Sequence, residues 1–241
     1  MRRSYGGAIM QIDTTFDFRT ESGSRDQDRY SPTLKKYHQL LWSKPLPNGD
    51  LLELRPEPGR YLKSSSLDEI HHLSSDTISN SYRSQKKLSQ LISQISDAEL
   101  DSFQAMGATI GGCMLFPGNR VKGTLTINVA RGFAREINDR IDLTLECIRL
   151  QYLGNTNPLE RTFAAYWSFF QLFQSFEGFV DFFLLQDLVQ RNQVKFFLPF
   201  EQGFSRSPSP QTTTEYRAYK NATMSFVAGR NERINQWVAA H

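Results

Sequence analysis

Between residues 159 and 190 the chain reads LERTFAAYWSFFQLFQSFEGFVDFFLLQDLVQ. Any helix drawn through this stretch carries apolar side chains on nearly every face, and such a helix has to be buried among other elements. The stretch is therefore predicted to be the core, with Gly178 as the place where it kinks into two pieces. Most of the 18 phenylalanines fall between residues 163 and 204, so the hydrophobic centre is expected in the C-terminal half.

Around that centre the other elements can be read in order. Ser31-Pro32 has the grammar of a helix start, with Ser31 as N-cap and Pro32 at the first helical position. That helix places Leu34, Tyr37, His38 and Leu41 on one face and is stopped by Pro45 and Pro47. Leu88, Leu91, Ile92 and Ile95 repeat at helical spacing, and a second helix follows, capped by Ser96 or Asp97. Residues 64–84, rich in Ser, Asp and Asn, read as loop with one short strand. Residues 109–116 form an apolar run with glycines at 111 and 112, expected to mark a bulge or the close approach of another backbone. Pro117-Gly118-Asn119 is a turn, and the alternation of Leu125, Ile127 and Val129 predicts a return strand, hence a hairpin. A long amphipathic helix over residues 134–152 then packs Ile137, Ile141, Leu145, Ile148 and Tyr152. Residues 214–239 give a final helix.

This pattern predicts an α+β fold: a small, mostly antiparallel sheet, with strands near residues 12–18, 51–54, 108–116, 123–129 and 194–198, covered by aromatic-rich helices. Residues 1–30 are expected to be a flexible N-terminal tail with a short strand, and residues 31–241 one α+β domain. At 39% apolar and 12% aromatic the chain is not disordered as a whole. Its two cysteines, Cys113 and Cys147, form neither a disulfide framework nor a four-thiolate metal site, which points to a reducing compartment. No apolar h-region follows Met1-Arg2-Arg3, and no run is long enough to span a bilayer. A cytoplasmic, soluble protein without membrane contact is expected. The net charge of +3 favours an anionic partner weakly and falls short of a dedicated nucleic-acid binder.

The residues that could carry chemistry concentrate around the predicted long helix. Asp139, Asp142 and Glu146, in a lane with Arg135 and Arg149, are candidate catalytic carboxylates that could bind a divalent metal or hold different pKa values and so divide acid and base roles. The same lane also reads as a ladder of ion pairs on a solvated face. Asn128, Arg131, Arg120 and Arg230 are candidate ligand-binding residues. An arginine beside a helix start offers a bidentate fork for phosphate or carboxylate. Neither nucleotide-binding glycine motif occurs. Arg230 falls on the apolar face of the final helix, where a charge needs a partner, and the carboxylates of the Asp139 helix are the expected source. The adjacent His71 and His72 diverge too much to share one metal. No metal site and no cofactor are identified.

FDFRT at residues 16–20, LLWSKPLPNG at 40–49, SSDT at 74–77, IGGCMLFPGNR at 110–120, TINVARGF at 126–133, DRIDLTLECIR at 139–149 and FFLLQDLV at 182–189 together resemble a family of bacterial proteins catalogued as a domain of unknown function. The resemblance runs from about residue 10 onward, implies a bacterial source, and supplies no catalytic residue. Two readings of function follow from the residues. In the first, the chain binds a phosphate-bearing ligand, a nucleotide or nucleic acid, in a cleft lined by Asn128, Arg131, Asp139, Asp142 and Arg230; a toxin or phage-defence effector fits this by analogy alone. In the second, it is a non-catalytic interaction protein whose exposed aromatics or final helix make a homo-oligomer or partner contact. Whether it is an enzyme stays open between them.

Overall fold

The computed structural model describes residues 11–23, 25–64, 69–121 and 123–241. The fold is α+β. A four-stranded antiparallel sheet runs in the order Leu54–Pro56, Leu62–Ser64, His72–Thr77, Cys113–Pro117. Its longest pairing registers Leu73 with Pro117 and Thr77 with Cys113. The Cys113–Pro117 strand is buried at every position, which is why it reads as a continuous apolar run and not as an alternation. In His72–Thr77, Leu73 and Ser75 are buried while His72, Ser74 and Asp76 occupy the opposite, half-buried face. That polar face positions the site.

The helix Pro32–Trp42 starts as expected: Ser31 Oγ accepts the Leu34 N–H at 3.1 Å and donates to the Glu21 carboxylate at 2.5 Å. Asp97–Gly107 is capped by Ser96. The final helix, Thr213–Ala240, is capped by Thr212 and buries Tyr216, Tyr219, Phe226, Val227, Arg230 and Ile234. Gly111 lies against it. A Cβ there would stand 2.6 Å from the Val227 carbonyl oxygen, so the predicted close approach of another backbone is met by this helix.

The aromatic stretch is the centre of the core, in more pieces than one kink would give. It forms Glu160–Ala165, Trp167–Gln171 and Phe176–Phe182, interrupted at Gln174, whose φ is +62°. Gly178 lies inside the third piece and donates its N–H to the cap Ser175. Phe173 sits among Phe169, Phe179, Phe182 and Phe183 with ring centroids 5.0–5.3 Å apart, in tilted and edge-on arrangements that suit the ring quadrupoles.

Four expected elements differ. Residues 12–18 form turns and not a strand: Phe18 is fully buried and donates its N–H to Ala108 O, which ties this segment to the body of the fold. The first ten residues of the expected tail lie outside the described residues. Residues 123–129 do not return as a strand, because Thr126 caps the helix Ile127–Phe133 by accepting the Val129 N–H; the capping side chain prevails over the two-residue alternation. The 134–152 helix begins only at Ile141, since Asn138 and Asp139 adopt φ of +44° and +66°, a conformation these residues tolerate better than most. At residues 194–198 only Val194 joins a ladder, in the pair Val189–Gln190 with Gln193–Val194; the Phe197 N–H goes to the Asp142 carboxylate instead. Among the described residues no helix is long and apolar enough to cross a membrane.

Candidate functional site

Asn128 and Arg131 stand one turn apart on the helix Ile127–Phe133, facing the polar side of His72–Thr77. Asn128 donates through Nδ2 to Ser74 Oγ at 3.2 Å and to the Ser75 carbonyl at 2.9 Å, while its buried Oδ1 has no partner among the described residues. Arg131 has no exposed surface, and its guanidinium pairs with the Asp76 carboxylate. It also reaches Asp139 Oδ1 at 3.4 Å, the Asp139 carbonyl at 2.9 Å and Thr144 Oγ1 at 3.2 Å. The positive φ of Asp139 brings its carbonyl and carboxylate back toward the arginine.

The two acids keep some contact with solvent, their side chains being 23% and 31% exposed, whereas the arginine between them keeps none. One positive charge thus serves two carboxylates. Burial, aided by the neighbouring Asp139 and Asp26 carboxylates and opposed by Arg131, pushes the Asp76 carboxyl up to about 7. Burial raises Asp139 too, again against Arg131. An Asp76 carboxyl raised in this way exchanges its proton near neutrality, which is the property required of a general acid or base.

The remaining candidates are placed elsewhere. Asp142 has no exposed surface; it is forked by Arg140 and accepts the Phe197 N–H at 2.9 Å, while Arg140 also donates to the Pro208 carbonyl. Glu146 pairs with Arg149 at 2.7 Å, one turn along the same helix. The lane that the sequence suggests is therefore divided: Asp139 turns to Arg131, while Asp142 and Glu146 hold separate arginines. Arg230 corrects a further expectation. Its partners are the carbonyls of Phe183, Gly111 and Cys113, at 3.1, 3.0 and 2.7 Å, and no carboxylate pairs with it among the described residues. Two of those carbonyls come from the turn at residues 110–112 and the first residue of the strand that follows it.

Arg120 leads to a cleft that sequence reasoning missed. About 990 Å³ of space is bounded by the start of the helix Pro32–Trp42, the turn carrying Gly59 and Arg60, the strand face of His72 and Ser74, and the turn at residues 118–120. The Gly118 N–H donates to the His72 carbonyl, and a Cβ on Gly118 would lie 2.8 Å from the Ser74 side chain, so the turn hugs the strand as only glycine permits. Arg29, Arg60 and Arg120 line the cleft, are exposed, and make no ion pair among the described residues. Lys35 also lines it and donates to the Arg60 carbonyl at 3.1 Å; the nearby Glu57 is taken up by His72 at 2.7 Å. The signal in the sequence was a repetition, Pro58-Gly59-Arg60 and Pro117-Gly118-Asn119-Arg120, two Pro-Gly turns that each lead into an arginine.

Ser74 lines the cleft and Asp76, two residues on, belongs to the Arg131 cluster, so the two features share one strand face. Among the described residues no group of His, Cys, Asp and Glu is arranged to hold a metal ion. A family profile matches residues 12–234, a span that contains the cleft, the cluster and all four strands of the sheet. The chain belongs to DUF6994, a family of unknown function. No curated protein and no solved structure matches it. Membership in DUF6994 places the whole α+β unit in one family without supplying a reaction, so the chemistry rests on these residues.

Proposed function

We propose that the protein binds a phosphate-bearing ligand, a nucleotide or a nucleic-acid end, in the cleft between the two Pro-Gly turns. The observation that carries this reading is the convergence of Arg29, Arg60 and Arg120, none of them paired among the described residues, on one cavity of about 990 Å³. Guanidinium groups fit phosphate oxygens bidentately, and a cavity of this size suits a nucleotide. Ser74 and the Gly118 turn form the inner wall. Asp76 lies two strand residues from Ser74, about 7 Å along the chain, and is the group best placed to move a proton at a bound ligand. Arg131 holds that carboxyl in position and is itself held by Asp139.

The test is a thermal-shift series with mononucleotides, dinucleotides and short oligonucleotides, run on the wild type and on Arg60→Ala/Arg120→Ala. A ligand at about a hundred times its dissociation constant stabilises the folded state by about 2.7 kcal/mol, which is several degrees for a domain of this size. The expected result is a shift in the wild type that falls with added salt and is lost in the double variant. No shift with any of these ligands, or a shift that the double variant retains, overturns the reading and favours an interaction protein. Asp76→Asn is expected to bind the same ligand and fail to turn it over.

A further inference from the structure

A second feature lies beyond the other end of the helix Pro32–Trp42, independent of the phosphate cleft. The two-residue strand Lys44–Pro45 pairs with Leu51–Leu52 and turns Lys44 inward, leaving the residue 8% exposed. Its ammonium nitrogen lies 4.7 Å from the ring centre of Phe182, 4.8 Å from that of Trp42 and 5.0 Å from that of Trp237. It makes no hydrogen bond and no ion pair among the described residues. Buried lysines are ordinarily paired with a carboxylate, and even the half-buried Lys220 is paired with Glu99 at 2.7 Å. A second cation, Arg230, approaches the same Trp42 ring, with its guanidinium carbon 5.6 Å from the ring centre.

Lys44 also borders a pocket of about 500 Å³ walled by Pro45, Pro47, Phe182 and Trp237, with Asp181 and His241 as its polar groups. An amine enclosed by rings, close to a fixed cation and open to an apolar pocket meets the conditions under which lysine becomes a nucleophile. We propose that Lys44 captures a small aldehyde or ketone in this pocket as an imine. The neutral amine attacks the carbonyl carbon, forming a C–N bond as the C=O π pair moves to oxygen. A proton passes from nitrogen to that oxygen, and loss of water from the carbinolamine leaves the imine, with no change of oxidation state. Asp181 stands on the pocket wall to carry the proton.

The charges around Lys44 agree with this chemistry. Burial and then Arg230 lower its ammonium to about 7, with Asp181 opposing. The three rings attract the charged form as well, so the pH profile of capture decides between an amine that reacts and an ammonium that is merely caged.

The experiment is reductive trapping of the full-length protein with propanal and sodium cyanoborohydride, followed by peptide mapping. The hydride adds to the imine carbon and fixes a propyl group on whichever lysines have formed imines. Near pH 7 Lys44 is expected to be modified about tenfold faster than any other lysine, because ordinary lysines titrate near 10.4 and are almost wholly protonated there. The advantage should disappear as the pH approaches 10. Lys44→Met should lose the rapid adduct, and the site map of the wild type reads the same result if that variant folds poorly. Modification of Lys44 at or below the rate of the exposed lysines overturns the proposal.

Discussion

Arg131 and Arg230 both have no exposed surface, yet the fold satisfies them in opposite ways. Arg131 is met by charge, from the carboxylates of Asp76 and Asp139. Arg230 is met by dipoles, from the carbonyls of Phe183, Gly111 and Cys113. Carbonyls cannot titrate and these belong to segments far apart in sequence, so Arg230 works as a permanent rivet between the final helix, the turn at residues 110–112 and the aromatic core. Carboxylates can titrate and these two reach solvent, so the surroundings of Arg131 change with pH and with whatever binds nearby. Burial of an arginine is thus no guide to its role; the chemistry of its partners is.

The largest effect expected is therefore at the rivet. Arg230→Met should cost about 4 kcal/mol, because it leaves buried carbonyls without donors in a place that water does not reach. Arg230→Lys should recover only part of this, since an ammonium cannot reproduce the fork. Denaturant unfolding from pH 4 to pH 6 in a His38→Gln background, which removes the imidazole that Arg230 also depresses, would show the loss to be constant. A cost below about 1 kcal/mol would mean that the carbonyl set does not fix this arginine, and the contrast would fail.

Arg131→Met should cost less, about 2–3 kcal/mol near neutrality, and the cost should shrink on acidification. Without the guanidinium the two carboxylates repel, and protons relieve that repulsion. Asp139→Asn added to Arg131→Met should restore part of the stability at pH 7 and almost none at pH 4. The same pH series on the two arginine variants, both in the His38→Gln background, sharpens the comparison, one line flat and the other sloped.

The difference in partners also explains what could be read from the sequence. Ser31, Ser96, Gly111 and the final helix were legible because each is a local rule: a cap, a cap, a close approach, a long periodic segment. The Asp139 lane failed because helical spacing alone cannot show that residues 138 and 139 leave the helix. That break is held by a tertiary contact, the Asp139 N–H donating to the Arg131 carbonyl at 3.0 Å. Asp76 escaped notice in a segment that reads as serine-rich loop, and its arginine lies 55 residues away. The cleft was illegible for the same reason: its arginines come from three separate segments, and only the repeated Pro-Gly turn hinted that two of them belong together.

The last measurement tests the titrating half of the comparison directly. The Asp76 carboxyl has its ordinary value of 3.8 when unfolded and is pushed up to about 7 when folded. Between those values the folded state holds more protons than the unfolded one, so stability falls as pH rises. This contribution is complete below about pH 4 and gone above about pH 7. Buried His38, lowered to about 3 by burial and by Arg230, works in the other sense: the unfolded state takes up its proton first, so stability falls as the pH drops below 6.5. Between pH 4 and 6.5 the two contributions oppose each other, so Asp76→Asn should make the melting temperature fall more steeply on acidification than it does in the wild type. His38→Gln should weaken the fall on acidification and expose the opposite trend set by Asp76. If Asp76→Asn leaves the wild-type profile unchanged, Asp76 is ionised throughout that range, and the pair around Arg131 is as fixed as the carbonyls around Arg230.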